Sequence, residues 1–153
     1  MSNTENFYKI LCKYSINKNP KLALLEWDFI SAFEDENQCI CGKDIKENCV
    51  IENKNNKNQL VVGNVCVKRF MERDYTFIFS GIKKIEKGEC PNKTFINYCY
   101  ENGYLFENQK SFLLKMRGNK IKNKEKDKYK ELTDLQNNFF KKIIYKLKKI
   151  KNY

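Results

Sequence analysis

Four cysteines lie within a stretch of 28 residues, at Cys39, Cys41, Cys49 and Cys66. Glycine follows the second of them, which lets the backbone amides of a tight turn point at the sulfur without steric penalty. Cysteine thiolates are ligands that zinc binds in tetrahedral geometry. The pattern therefore predicts one zinc site with these four cysteines as ligands. Four thiolates would leave no open position, so the zinc would be structural.

A second interpretation is that these cysteines are small buried apolar residues, as free cysteines often are. Only one residue separates Cys39 from Cys41, whereas structural zinc sites more often have two to four. Cys49 falls in a predicted strand and can equally face the core. The other three cysteines, Cys12, Cys90 and Cys99, are predicted to be spare. Cys90 and Cys99 could form half of a second metal site, but no glycine follows either of them, and burial is favoured.

The chain contains no histidine. This excludes Ser–His and Cys–His catalytic pairs, and no paired Asp/Glu motif stands out. We therefore predict that the protein is not an enzyme.

The elements that would position the cysteines can be read from local signals. Asn19 and Pro20 predict the start of a first helix, whose apolar stripe would comprise Leu22, Leu25, Phe29 and Phe33. Two strands of a hairpin are predicted at Cys49–Glu52 and Leu60–Val62, joined by a polar loop. A helix beginning at Asn64 or Val65 would carry Cys66.

Downstream, further helices are predicted at 94–100, ended by Gly103, and at 107–116. Residues 75–79 fit either a helix or a strand. Ser80-Gly81 and Lys87-Gly88 resemble breaks between secondary-structure elements. The charged segment 117–130 predicts a linker. Thr133 and Gln136 form a capping box for a last helix, whose apolar positions are Leu132, Leu135, Phe139, Ile143, Leu147 and Ile150.

These elements predict an α+β, helix-dominated fold in which N-terminal and C-terminal helices flank a small zinc-stabilised β-hairpin module. We expect one globular domain over residues 1–119, containing the zinc-hairpin module 39–70. Residues 120–153 would follow as a basic linker and an amphipathic helix.

The net charge of +11 is concentrated near the C-terminus, where residues 120–153 hold twelve lysines against four acidic residues. Such a patch favours binding to nucleic-acid phosphates. A lysine-rich, A/T-biased genome offers an alternative explanation for the lysines. The candidate nucleic-acid-binding residues are Lys43, Lys46, Lys68, Arg69, Lys141, Lys142, Lys148 and Lys149.

The last helix has three interpretations. Its apolar face can pack on the domain, or the helix can lie along a nucleic-acid backbone, or it can dock on a partner protein or an anionic membrane surface. No apolar stretch is long enough to span a membrane. The N-terminus lacks the pattern of a secretion signal, and seven cysteines is an odd number, so a reducing, intracellular compartment is expected.

The string from Cys39 to Phe70, Cys-x-Cys-Gly followed by Val-Gly-Asn-x-Cys-Val-Lys-x-Phe, resembles a cysteine-rich module of small proteins from giant DNA viruses, mimivirus-like ones among them, and from phages. Glu26-Trp27, Gly103-Tyr104-Leu105 and Leu132-Thr133-Asp134 are similar to those proteins too. The resemblance implies that Cys39, Cys41 and Cys66 are fixed positions, with Cys49 in the viral versions. It also implies a place in the virion or the host cytoplasm.

Together these observations predict a non-enzymatic, zinc-binding accessory protein of a large DNA virus that associates with nucleic acid. The alternative is a protein-interaction module that docks through the hairpin or the C-terminal helix.

Overall fold

A computed structural model of the chain describes residues 2–125 and 134–153. The described helices are α1 (Asn3–Lys13), α2 (Pro20–Leu24), α3 (Asn64–Met71), α4 (Thr76–Glu86), α5 (Lys93–Glu101), α6 (Glu107–Glu125) and α7 (Asp134–Lys148). The described strands are β1 (Trp27–Gln38), β2 (Asp44–Asn53) and β3 (Gln59–Gly63). The predicted α+β class is confirmed, with the small sheet flanked by N-terminal and C-terminal helices.

The chain divides into two compact units. Unit 1 comprises residues 1–79 and 152–153, and unit 2 comprises residues 80–151. The last residues belong to unit 1 because the backbone N–H of Tyr153 donates to the carbonyl of Ala32, at 2.7 Å. The division falls within α4 and not at the predicted boundary after residue 119, so a single domain over 1–119 stays a prediction.

The sheet of unit 1 is antiparallel, in the order β1-β2-β3. The predicted hairpin is confirmed, and its register pairs Cys49 with Val62 and Ile51 with Leu60. The sheet also has a third strand, because β1 pairs with the other edge of β2, where Ala32 lies opposite Cys49. The central strand is therefore flanked on both sides.

The first predicted helix is wrong beyond its first turns. Asn19 does cap α2, since its side chain accepts from the backbone N–H of Lys21 at 3.1 Å, but the helix ends at Leu24. Residues 27–38 form β1 instead. Leu25, a member of the predicted stripe, is 70% exposed. Pairing with the next strand, β2, has overridden the local helical period.

Helix α1 was not predicted. Ser2 caps it, and its hydroxyl accepts from the backbone N–H of Glu5 at 3.2 Å. Phe7 and Leu11, four residues apart, are fully buried on one face of the helix. The ring of Phe7 stacks on Phe70 of α3 with 4.3 Å between centroids. This stacking packs α1 against α3.

Glu26 ties several segments of unit 1 together. Its carboxylate is buried and accepts hydrogen bonds from the backbone N–H groups of Ile16 and Asn17, at 3.1 and 3.2 Å, and from Nδ2 of Asn55 at 3.3 Å. Burial acts to raise the pKa of Glu26, but hydrogen bonds from Asn55, Asn17, Ile16 and Asn53 lower it below its usual value. The ionised carboxylate therefore connects the α1–α2 loop to the β2–β3 loop.

Unit 2 shows why Ser80-Gly81 is not a break. Gly81 lies inside α4, and a Cβ there would meet ring atoms of Phe95 at 2.2 to 2.7 Å. The glycine permits close approach of α5 rather than a turn. The other predicted break is confirmed, because α4 ends at Glu86 and Gly88 has φ +73. Residues 76–79, which fitted helix or strand, are helical.

The later helices agree with the sequence except at the linker. Helix α5 is confirmed, and Gly103 follows it with φ +77. Helix α6 continues to Glu125, so the predicted linker is wrong for residues 117–125. The rest of the linker, Leu132 and the predicted cap Thr133 lie outside the described residues. Helix α7 is confirmed and buries Ile143, Ile144 and Leu147.

Among the described residues, no helix combines the length and the apolar character needed to cross a membrane.

The role of Glu26 predicts the effect of replacing it. Glu26→Gln should lower the free energy of unfolding by about 1 kcal/mol, because an amide group then faces the partly buried N–H donors of Ile16 and Asn17. The folded-state pKa is lowered, so the contribution of the carboxylate is present above the unfolded pKa and is lost as the pH falls through the folded value. The difference between wild type and variant in urea unfolding should therefore be constant near neutral pH and shrink as the pH falls below about 4.5, the usual pKa of a glutamate.

Asp28→Asn is the matched control, since its ion pair with Lys54, at 3.7 Å, is exposed. It should change the free energy of unfolding by less than about 1 kcal/mol. Equal effects of the two variants at neutral pH would contradict the proposed role of Glu26.

Candidate metal centre and basic surface

The turn between β1 and β2 is built around the sulfur of Cys39. The backbone N–H of Gly42 donates to the carbonyl of Cys39, and the N–H of Cys39 donates to the carbonyl of Lys43, both at 2.9 Å. Gly42 has φ +98, a conformation that favours glycine. The turn brings the N–H of Cys41 to within 3.5 Å of the Cys39 sulfur. The first two cysteines are thus held by a tight, closed turn.

The third cysteine arrives from the other end of the module. Cys66 lies in the first turn of α3, directly after β3. The N–H of Gly63, where β3 ends, also donates to the Cys39 sulfur, at 3.3 Å. Hydrogen bonds from amides and the positive end of a helix both favour a thiolate over a thiol. Gly63 belongs to the Val-Gly-Asn-x-Cys string, but its contact with the Cys39 sulfur was not predicted.

The sulfur atoms of Cys39, Cys41 and Cys66 lie within 4.8 Å of one another. Tetrahedral sulfur ligands of one zinc ion, each at about 2.3 Å from it, would be about 3.8 Å apart. Cys39 and Cys41 are buried, and Cys66 is partly exposed. The three cysteines are therefore close enough to bind a metal ion.

The pKa values of Cys39 and Cys66 are shifted in opposite directions. A hydrogen bond from the Cys66 thiol lowers the pKa of Cys39 to about 5; burial opposes this, and the amides of Cys41 and Gly63 assist it. The pKa of Cys66 is raised, because its proton is held by Cys39 and because burial and the neighbouring negative charge disfavour a second thiolate. A divalent cation would remove this conflict, since it stabilises several thiolates at once.

The structure does not bring Cys49 into this group. Cys49 is fully buried in the central strand, between Ala32 and Val62. Burial, with the nearby charges of Glu47 and Cys39, raises its pKa to about 12. It has the environment of a neutral core thiol, and its part in metal binding stays a prediction.

The remaining cysteines lie as expected outside the cluster. Cys90 and Cys99 are buried in unit 2, where burial raises the pKa of Cys99 to about 12. Cys12 lies on α1 and is partly exposed.

The basic residues of the module occur together with acids. Lys43 and Lys46 are exposed and alternate with Asp44 and Glu47 along the start of β2. On α3, Lys68 lies 3.9 Å from Asp74, and the guanidinium of Arg69 lies 5.0 Å from the centroid of the Phe70 ring. The positive charge around the cysteines is thus balanced locally.

Unit 2 has a different charge distribution. The segments of unit 1 contain eleven basic and eleven acidic residues, whereas residues 80–151 contain nineteen basic and eight acidic ones. The whole net charge of +11 is therefore carried by the chain segment of unit 2. On α7 and the residue after it, all four predicted nucleic-acid-binding lysines are exposed: Lys141, Lys142, Lys148 and Lys149.

Comparisons with known proteins found no match among family models, curated proteins or solved structures.

The cysteine geometry predicts opposite outcomes for two serine substitutions. Cys41→Ser removes one of three clustered ligands, and we expect the protein to retain no zinc and to unfold at lower denaturant concentration. Cys12→Ser removes a thiol outside the cluster and should retain as much zinc as the wild type. Zinc per chain is measured by native mass spectrometry on protein purified under reducing conditions. Loss of zinc from both variants, or from neither, would contradict the assignment.

Proposed function

We propose that this chain is a non-enzymatic accessory protein in which zinc stabilises unit 1 and unit 2 binds nucleic acid through its phosphate backbone. The observation that carries the proposal is the separation of charge between the two units. The resemblance described above supports a role in a large DNA virus, and that part of the proposal rests on the resemblance alone.

The sulfur cluster supports zinc as the metal. Thiolates in a tetrahedral arrangement suit zinc, which has no redox chemistry that would oxidise them. The ligands come from the β1–β2 turn and from the first turn of α3, so a bound ion would fasten the helix to the sheet. Its binding free energy would add directly to the stability of unit 1.

The cluster supplies three ligands, whereas tetrahedral zinc binds four. In the described part of the chain, no fourth cysteine or carboxylate belongs to the sulfur cluster. We propose that the three clustered thiolates bind the ion and that Cys49 remains a core thiol. Substituting Co²⁺ for zinc tests this, because sulfur-to-cobalt charge-transfer absorption increases with the number of bound thiolates.

We expect the cobalt spectrum of Cys49→Ala to match that of the wild type, while its free energy of unfolding falls through lost packing. Cys66→Ser should instead weaken the charge-transfer bands or abolish binding. A loss of about one quarter of the band intensity in Cys49→Ala would show that Cys49 is the fourth ligand.

Charge separation argues against composition as the only cause of the basic character. A bias toward lysine codons acts on the whole gene, yet the segments of unit 1 balance every basic residue with an acidic one. A surface with several unbalanced lysines attracts a polyanion and releases its counterions. The nucleic-acid contact is therefore assigned to unit 2, and the lysines beside the cysteines are given a minor part.

Two variants with equal loss of charge test this assignment in the full-length protein. In the first, Lys141, Lys142, Lys148 and Lys149 become glutamine; in the second, Lys43, Lys46, Lys68 and Arg69 do. Binding to a labelled duplex is followed by fluorescence anisotropy between about 0.1 and about 0.3 M salt. The first variant should lose about tenfold or more in affinity and show a shallower salt dependence, by about one unit of slope per phosphate contact removed.

The second variant should bind within about threefold of the wild type. Equal losses in the two variants would contradict the assignment to unit 2 and would leave only a general attraction between opposite charges.

A cleft in unit 2 favours a second candidate function, docking of a protein partner. The cleft has a volume of about 410 Å³ and is lined by Phe112, Leu135 and Phe139, among others, and Leu135 is exposed. An apolar partner helix would bind here with little dependence on salt. Leu135→Gln would then abolish partner binding and leave nucleic-acid binding unchanged.

A further inference from the structure

Two large aromatic side chains of unit 2 are mostly in contact with solvent. Phe106, just before α6, is 68% exposed, and Tyr145, on α7, is 61% exposed. Single exposed apolar residues are ordinary on protein surfaces. Here, however, each ring has a lysine ammonium against its face: Lys146 at 4.2 Å from the centroid of Phe106 and Lys149 at 4.3 Å from that of Tyr145.

Tyr145 stands in the middle of the lysine group on α7. The four exposed lysines lie three or four residues before and after it, which are the positions that neighbour it on a helix surface. They are Lys141, Lys142, Lys148 and Lys149. The residues that α7 buries, Ile143 and Leu147 among them, lie two positions away and so on the other side of the helix. Tyr145 is therefore not needed to pack this helix.

Phe106 is held close to the same helix. Its backbone N–H donates to Oε1 of Gln109 at 2.9 Å, and the same oxygen accepts from Nζ of Lys146 at 3.1 Å. Because Lys146 also lies over the Phe106 ring, one lysine of α7 fixes the ring that precedes α6. Lys146 is the neighbour of Tyr145 in sequence. Phe106 is thus in contact with α7, the helix that carries Tyr145.

A third pair continues this surface. Nζ of Lys110 lies 4.3 Å from the ring centroid of Tyr100, and the backbone N–H of Lys110 donates to the carbonyl of Phe106 at 3.0 Å. Tyr100 and Phe106 thus each have a lysine over the ring, and Tyr145 adjoins Lys146 along α7. We call these three rings, with Lys110, Lys146 and Lys149, the aromatic–lysine surface.

A surface that combines aromatic rings with lysines is expected to bind a single strand and a duplex differently. In a duplex the base faces are stacked on one another and are not available to exposed protein rings. In a single strand the base faces are free to stack on aromatic rings while lysines bind the phosphates between them. We propose that the aromatic–lysine surface binds single-stranded nucleic acid, with Tyr145 and Phe106 stacking on bases. This inference rests on the proposed function and specifies its ligand.

Two matched DNA ligands test the inference on the full-length, zinc-loaded protein. One is a labelled oligothymidylate strand of about 20 nucleotides, and the other is a strand of the same length made of abasic sites, which keeps the phosphates and lacks the bases. Wild type should bind the first at least about tenfold more tightly than the second, by fluorescence anisotropy at about 0.1 M salt.

Four substitutions separate stacking from charge. Tyr145→Leu and Phe106→Leu keep apolar bulk but lose the aromatic face, and each should weaken binding to oligothymidylate by about tenfold. Binding to the abasic strand and to a duplex should change by less than about twofold. Tyr145→Phe and Phe106→Tyr should retain binding of the wild-type strength. Circular dichroism confirms that each variant is folded.

The outcomes distinguish the two levels of the argument. If neither the duplex nor the single strand binds, the proposed function itself fails. If both bind but wild type does not prefer bases over abasic sites, or the leucine variants lose nothing, nucleic-acid binding stands and the stacking inference is overturned.

Discussion

The hydrogen bonds that converge on the sulfur of Cys39 connect the β1–β2 turn to the junction of β3 and α3. One donor comes from Cys41, within the β1–β2 turn, and the other comes from Gly63, at the junction of β3 and α3. The hydrogen bond from the Cys66 thiol, assisted by these two amides, favours the thiolate and lowers the pKa of Cys39. The same negative charge makes a second thiolate unfavourable at Cys66. The geometry therefore places three sulfur atoms close enough to bind one cation.

The rest of unit 1 supports this arrangement from a distance. The central strand is paired on both sides, which fixes the direction in which the β1–β2 turn and Gly63 emerge from the sheet. Phe7 of α1 stacks on Phe70, at the far end of the helix that carries Cys66. Asn6 of α1 also donates to the carbonyl of Cys41, at 3.4 Å. Helix α1 thus contacts both elements that supply ligands.

Local signals in the sequence were sufficient for the elements whose contacts are local. The turn at Cys39–Gly42, the hairpin and the start of α3 each depend on a few neighbouring residues. Strand β1 could not be read in this way, because its stripe fits a helix and only the pairing with β2 selects the strand. Cys49 was predicted as a ligand but lies outside the cluster, and the reason is again the strand pairing. Which face a strand residue presents depends on register, and the sequence does not state the register.

Helix α1 and the role of Gly81 also differ from the prediction, because the local sequence signals at both places fit more than one structure. Ser2 and Glu5 have the spacing of a capping box, so α1 could have been found. Gly81 read as a break because glycine usually interrupts a helix, and only the ring of Phe95 against its backbone explains it. The sequence alone does not single out Tyr145 among the aromatic residues. Its exposure became informative once α7 placed four lysines around it and the apolar residues on the other side.

The separation of charge has a physical consequence for how the two proposed activities are related. A zinc site with three thiolates carries net negative charge, and the acids near it cancel the adjacent lysines, so the site gives little attraction for phosphates. A chain segment with an excess of eleven positive charges supplies that attraction by itself. Zinc would then affect nucleic-acid binding only through the stability of unit 1 and not as part of the binding surface. Metal removal and lysine substitution should therefore act as independent perturbations, whose free-energy effects on binding add.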